Sequence, residues 1–343
     1  MRFTSTYLDG LGVVVPEPRP IAEWIADGAL TAEEADEWGW TGACVVGDVA
    51  PTAMAITAGR GAVAESSVPV DRYELLVHTG SFVQGGLGWP AHHHVQREVL
   101  GDHGTAIEVR QSCTGGLIAL QLAAATLRAC DHPAAVLVTG ADNCFWFDRF
   151  EWVRHHAHGG RAGLLHGDAA HGVTLSNTGG FAELRSVVAR SVPDFEQLYR
   201  HPGPQFPVPL AVPTEDEWRA ITAATTLTEH DSRVLGVRAA RAALDAVATA
   251  LDDARISAED VTLFIPSFDT SRILPDFICG RIPMPRSDVL DQFGRLTGHL
   301  TVSDHTVAID WLRRRGELSS GDNLVLLGMG QAASYVAAVV TIT

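Results

Sequence analysis

Short apolar runs of strand length recur along the chain, separated by longer alanine-rich stretches of helical length. YELLVHT (73–79), AIEVRQS (106–112), AAVLVTG (134–140), VTLFIPS (261–267), NLVLLGM (323–329) and SYVAAVVTI (334–342) are strand candidates. Residues 51–65, 115–129 and 234–251 are helix candidates. Apolar strands alternating with helices predict βαβ units, hence an α/β fold around a mostly parallel sheet covered on both faces. The pattern also echoes itself. DRYELLVHTGSF (71–82) and EDVTLFIPSFDT (259–270) share an acidic lead, an apolar strand and a polar exit, and each follows an alanine-rich helix. AAVLVTGADNC and DNLVLLGMGQA are both late strands ending in glycine. The second half therefore reads as a diverged copy of the first. The expected division is 1–178, a connecting segment 179–230, and 231–343. The proline-rich part of the connecting segment, SVPDFEQLYRHPGPQFPVPLAVP (191–213), is either an irregular loop near a ligand site or a passive linker.

Composition narrows the function classes. At 343 residues, 46% hydrophobic and 19% charged, the chain can bury one large core or two. Its apolar stretches are interrupted by glycine, polar or charged residues. The N-terminus lacks a basic region followed by an uninterrupted apolar segment, so a cytoplasmic protein without membrane association is expected. A net charge of −16 disfavours nucleic acid and anionic membrane surfaces as partners. All 25 basic residues are arginine, which excludes lysine Schiff bases, pyridoxal phosphate attachment and a P-loop lysine. Cysteines 44, 113, 130, 144 and 279 are widely spaced, without a CxxC pair, which argues against a disulfide framework or a zinc knuckle.

One cysteine stands where chemistry is favoured. In EVRQSCTGGLIALQLAAATLRA (108–129), Cys113 lies at a strand-to-helix junction, where free backbone N–H groups and the helix dipole favour a thiolate. Gly115 and Gly116 would let an acyl group approach the helix start closely. Packing is the expected role of the other four cysteines. In GHLTVSDHTVAIDWL (298–312), a carboxylate at Asp304 bonded to His299 would fix the imidazole tautomer and leave the other nitrogen as a base. Five residues apart is not one helical face, so a turn must bring them together. The runs His92–His94 and His155, His156, His158 read as polar surface rather than metal ligands, and no metal is expected.

These segments, taken in order over nearly the whole chain, resemble the ketosynthase III group of thiolase-fold enzymes. EVRQSCTGGLIALQLAAATL is similar to the nucleophile segment and GLLHGDAAHGVTLS (163–176) to the following Gly-Asp-Gly-Ala strand motif. IPSFDTSRI (265–273) is similar to the Pro-His-Gln-Ala-Asn segment, TGHLTVSD to the Gly-Asn segment, and NLVLLGMGQAASYVAAVV to the glycine-rich terminal hairpin. The resemblance implies two related halves in a five-layer αβαβα arrangement and a homodimer. It also implies departures: the condensing members' histidine position reads Ser267 and their asparagine position reads His299, so the pair that stabilises an enolate is dismantled. Cys113, His299 and Asp304 remain, which is similar to ketosynthase III-like acyltransferases of natural-product pathways, notably the anthracycline starter-unit proteins, which share the Gly-His and Asp spacing but carry serine at the nucleophile position. By the same resemblance His201 matches an additional catalytic histidine. Ser267, Phe268, Gly328, Gly330 and Gln331 are expected to line the substrate site.

The implied activity is ping-pong acyl transfer from an acyl carrier protein or coenzyme A thioester, through Cys113, to a small-molecule hydroxyl or amine or a carrier thiol in polyketide-type biosynthesis. No cofactor beyond the acyl thioester substrate is implied. A decarboxylative starter-unit condensing enzyme and a non-catalytic thiolase-fold partner subunit are the alternatives.

Overall fold

The computed structural model describes residues 1–86, 88–145, 149–150, 164–199, 229–269, 271–285 and 287–343. The apolar runs form strands β4 (Tyr73–Thr79), β5 (Thr105–Val109), β6 (Ala135–Asp142), β9 (Leu263–Pro266), β10 (Asn323–Gly330) and β11 (Ser334–Ile342). They join β1 (Tyr7–Val14), β7 (Ala169–Ser176) and β8 (Ala182–Ser191) in one nine-stranded sheet, in the order β5-β4-β6-β7-β1-β8-β11-β10-β9. The sheet is mixed, which corrects the mostly parallel expectation. β4 runs parallel to β5 and β6, and β9 parallel to β10, but β1, β7, β8 and β11 make only antiparallel pairs. Local chain geometry is the cause: β10 and β11 are joined by the three-residue turn Gln331–Ala333, too short for the crossover that a parallel pair needs.

Residues 182–191, expected within the connecting segment, are β8. The stretch AELRSVVARS buries Ala182, Leu184 and the run from Ser186 to Val188, as befits a strand with one face against a core.

The strand order is a mirror about the β1–β8 contact, which rests on Tyr7 opposite Glu183 and Leu8 opposite Ala182. β4 corresponds to β9, β6 to β10, β7 to β11 and β1 to β8. The two pairs of echoing segments thus occupy matching places in the two halves. The helices repeat the symmetry. α3 (Pro51–Glu65) packs on β1, β6 and β7 from outside, and α6 (Glu229–Ala254) covers β8 and β11. α5 (Gly115–Leu127) touches strands of both halves, and α8 (Asp304–Arg314) touches β1, β7 and β9. The result is five layers, αβαβα. Because α5 is sandwiched, its sequence is apolar almost all round, with Leu117, Leu120 and Leu127 in one core with Val307, Ile309 and Leu312 of α8. Each such side chain contributes about 1.5–3 kcal/mol on full burial.

An N-terminal subdomain flanks the sheet: β2 (Pro18–Pro20), α1 (Ile21–Ala26), α2 (Ala32–Trp38) and β3 (Gly42–Cys44). α2 opens with a capping box between Thr31 and Glu34. Trp24, Trp38 and Phe150 cluster here, the Trp24 and Phe150 rings edge-on at 5.2 Å, and Leu165 is buried with them. Among the described residues no helix is long and apolar enough to cross a membrane. α4 (Ala91–Val99) carries the His92–His94 run, and α7 (Ile273–Cys279) follows β9.

Candidate active site

Cys113 sits where β5 gives way to α5, inside a short 3-10 turn from Ser112 to Thr114. Ser112 holds a left-handed φ of 48°, a conformation that costs a non-glycine residue free energy and marks a constrained turn. The thiol is nearly buried, with Ser81 Oγ 3.8 Å and Ser112 Oγ 3.7 Å from Sγ. Gly115 and Gly116 have a packing purpose that differs from the expected acyl access. A Cβ on Gly115 would lie 2.2 Å from Thr79 Oγ1, and one on Gly116 2.2 Å from the Val302 carbonyl oxygen, so their absence lets α5 close on β4 and on the 301–303 turn. The other cysteines lack this setting. Burial pushes the Cys44 thiol up to about 12 and that of Cys144 well above its ordinary value, which leaves both inert.

The turn required between His299 and Asp304 is present. Leu300 leads into a single 3-10 turn, Thr301–Ser303, and Asp304 opens α8. Asp304 is fully buried and accepts three hydrogen bonds: from His299 Nδ1 at 2.7 Å and Phe268 N at 2.8 Å on Oδ2, and from Leu300 N at 2.7 Å on Oδ1. Burial opposes charge on His299, but Asp304 and the Cys113 sulfur outweigh it and hold the imidazole well above its usual range. His299 Nε2 is buried and, among the described residues, has no hydrogen-bond partner.

A second histidine completes the centre. The Cys113 sulfur and one ring nitrogen from each of His166 and His299 all lie within 4.8 Å of one another. Two backbone hydrogen bonds set the histidines side by side: Gly167 N to the His299 carbonyl at 2.9 Å, and His299 N to the Leu165 carbonyl at 2.8 Å. Glycines permit this approach, since a Cβ on Gly167 would stand 2.1 Å from the Thr297 carbonyl oxygen. The rings lie 5.5 Å apart, and Phe82 meets His166 edge-on at 5.3 Å. A buried ion pair braces the segment from behind: Arg149 donates to both Asp168 oxygens at 3.2 Å and to the His166 carbonyl at 2.7 Å. His166 lies in the quoted GLLHGDAAHG motif, yet the sequence reading did not single it out. The signal was its mirrored spelling, His-Gly against Gly-His at 298–299. A thiol and two imidazoles are also a donor set for a soft divalent metal.

The remaining expected residues are placed as follows. Ser267 is buried, and its hydroxyl accepts from Met329 N at 3.0 Å and lies 3.5 Å from the Leu327 carbonyl, so it ties β9 to β10. Phe268 is fully buried against Phe293, the rings edge-on at 5.9 Å, and its backbone N–H donates to Asp304. Gly328 and Gly330 bring the end of β10 against Leu117 and Thr114 at the start of α5, while Gln331 is exposed. His201 lies outside the described residues, as do His155, His156 and His158. Two further carboxyls that the sequence reading missed surround the site. Asp142 ends β6, accepts from Ser81 N, Phe82 N and the Thr301 hydroxyl, and is pushed by burial up to about 6. Asp269, pushed by burial to about 6 and accepting from Ser271 N, lies near enough to His299 for the two to interact.

Comparison with known proteins places this geometry. Residues 251–342 match the family described as 3-oxoacyl-[acyl-carrier-protein (ACP)] synthase III C terminal. The beta-ketoacyl-[acyl-carrier-protein] synthase III of Streptomyces glaucescens is 33% identical over 93 residues, 27% of this chain and only 28% of that relative's length. The synthase III structure from Aquifex aeolicus superposes with a TM-score of 0.70 at 17% identity, over 98% of this chain and 99% of that one, a likeness of fold. ChlB3, described as an acyltransferase, superposes with a TM-score of 0.86 at 31% identity, covering 98% of this chain and 97% of its own. On that full-length likeness the chain belongs to the ketosynthase III-like proteins of the thiolase fold, a family of acyl transfer and condensation.

Proposed function

We propose that the protein is an acyltransferase that moves an acyl group from a coenzyme A or acyl carrier protein thioester, through Cys113, to a hydroxyl, amine or carrier thiol in natural-product biosynthesis. The observation that carries this reading is the buried relay Asp304–His299–Cys113, with Nδ1 anchored at 2.7 Å and Nε2 left for the sulfur. In the loading step the Cys113 thiolate bonds to the thioester carbonyl carbon. The carbon–sulfur bond to the carrier breaks, and the departing thiolate takes the proton of the His299 imidazolium. Backbone N–H groups at Cys113 and at the end of β10, that of Met329 excepted because it donates to Ser267, would hold the oxyanion. In the transfer step the acceptor's heteroatom bonds to the carbonyl carbon and its proton goes to His299 Nε2. Cleavage of the bond to Sγ restores the thiolate beside the imidazolium.

Condensation is the second reading: Ser267 spends its hydroxyl on the backbone, so a second donor to an enolate would have to come from His166 beside His299. A passive partner subunit would have no need of the relay. The family resemblance supports a two-fold dimer, and β5, a sheet edge with Ile107 exposed, supplies an open strand for it. Intact-protein mass spectrometry after mixing with acyl-coenzyme A or acyl-carrier thioesters tests the scheme. An acyl adduct lost in Cys113→Ala, and chased off by alcohol, amine or thiol but not by malonyl thioester, is the expected result. Loading that survives Cys113→Ala, or no adduct with any donor, rejects it.

A further inference from the structure

His299 alone can return a proton, but it cannot also fix the acceptor. A nucleophile attacking an acyl group on Sγ must keep its hydrogen on His299 Nε2 and its lone pair on the carbonyl carbon. One hydrogen bond leaves it free to swing about that contact, and orientation is a large part of catalysis. A second polar group at the sulfur is therefore informative. His166 is that group: its ring nitrogen lies within 4.8 Å of both the thiol and the facing nitrogen of His299. It is rigidly placed, because the paired hydrogen bonds of Leu165 and Gly167 with His299 lock the two backbones in register. The Arg149–Asp168 pair holds its carbonyl, and Phe82 flanks its ring. Sγ is nearly buried with a nitrogen of each ring within 4.8 Å, so the carbonyl of an acyl group on it starts beside both rings.

Building on the acyl-transfer reading, we infer that His166 is a catalytic residue of the transfer step, one that hydrogen-bonds the heteroatom of the incoming acceptor while His299 removes its proton. The chemistry of imidazole then sets the acceptor class. One imidazole can donate to a hydroxyl oxygen, which retains a lone pair for attack, or accept the second N–H of an amine. Sulfur is a weak hydrogen-bond acceptor, and a thiol has no second hydrogen to offer. The acceptors that gain from His166 are therefore alcohols and amines. Atoms balance as in the scheme above, since His166 contributes hydrogen bonds and no net proton.

The test uses the full chain acylated with acetyl-coenzyme A and chased with benzyl alcohol, benzylamine and benzyl mercaptan, three acceptors that share one body. Intact mass gives loading, and product release gives transfer. Transfer by His166→Phe is scored per acylated molecule, so any change in its loading is divided out. Its transfer to the alcohol and the amine should fall about tenfold, the worth of one hydrogen bond in a barrier, with transfer to the mercaptan little changed. His166→Gln, which can donate and accept, should recover part of the loss, a rescue that a purely structural role would not give. Unchanged alcohol and amine transfer per acylated molecule in His166→Phe overturns the inference, as does an equal fall for all three acceptors. Those results leave acyl transfer through Cys113 standing, whereas failure of the parent to load any acyl group removes both.

Discussion

Asp304→Asn isolates the charge of the relay from its shape. The carboxylate accepts three hydrogen bonds, two on Oδ2 and one on Oδ1. An amide of the same outline has one accepting oxygen and one donating nitrogen. With the oxygen at the Oδ2 position, the bonds from His299 Nδ1 and Phe268 N survive, and the amide NH₂ meets the Leu300 N–H donor to donor. The flipped orientation opposes two donors and is worse. One buried backbone N–H thus goes unsatisfied, at a cost of about 1–3 kcal/mol in stability. The larger effect is electrostatic. His299 is held high against its own burial by Asp304 and the Cys113 sulfur, and without the carboxylate the larger of those two supports is gone, so its value should fall. At neutral pH the imidazolium that protonates the leaving thiolate is then scarce, and loading should slow by about 10²–10⁴-fold, or roughly 3–5 kcal/mol in the barrier. The pH dependence has a definite sign. A histidine raised above 6.5 in the folded state lends stability in full below 6.5, and that stability is lost as pH rises through the elevated folded value. Asp304→Asn should abolish this alkaline loss and move the alkaline limb of loading downward. Stopped-flow loading with acetyl-coenzyme A across pH, beside guanidinium unfolding, measures both. Wild-type loading with an unmoved alkaline limb would refute the reasoning.

Three further outcomes can be checked independently. Arg149→Met leaves Asp168 buried without its ion partner and should cost about 3–5 kcal/mol in chemical denaturation, with Arg149→Met/Asp168→Asn recovering part of it. Gly167→Ala forces a Cβ to within 2.1 Å of the Thr297 carbonyl and should part His166 from His299, so loading and transfer both fall; a variant with parental kinetics would show that the bridge has no part in the chemistry. Asp142, raised from 3.8 to about 6 in the folded state, makes the parent progressively less stable as pH rises through that window, a loss that Asp142→Asn escapes. The stability of Asp142→Asn relative to the parent should therefore rise by about 2 kcal/mol between pH 4 and pH 7, and a constant difference in parallel melts would contradict the assignment.

The sequence by itself determined the features that depend on short-range order. The apolar period placed β4 at its observed bounds and β10 and β11 to within a residue, and the internal echo anticipated the mirrored strand order. Cys113 was legible because a strand, a cysteine and two glycines are contiguous, and His299 with Asp304 because only five residues separate them. What the sequence left open depends on segments distant in the chain. Strand direction in β7, β8 and β11, and the membership of β8 in the sheet, follow from which neighbour each strand meets, and an apolar run carries no such address. Ser267 looked like a lining hydroxyl until the β9–β10 pairing claimed it, and Gly115 and Gly116 looked like room for a substrate until β4 and the 301–303 turn filled it. His166 became part of the centre only when two glycine-flanked backbones met in register beside Cys113. Local periodicity chooses the elements, because backbone hydrogen bonding and side-chain burial are satisfied within a few residues. The partners of a buried polar group are chosen by packing, and only the tertiary structure decides them.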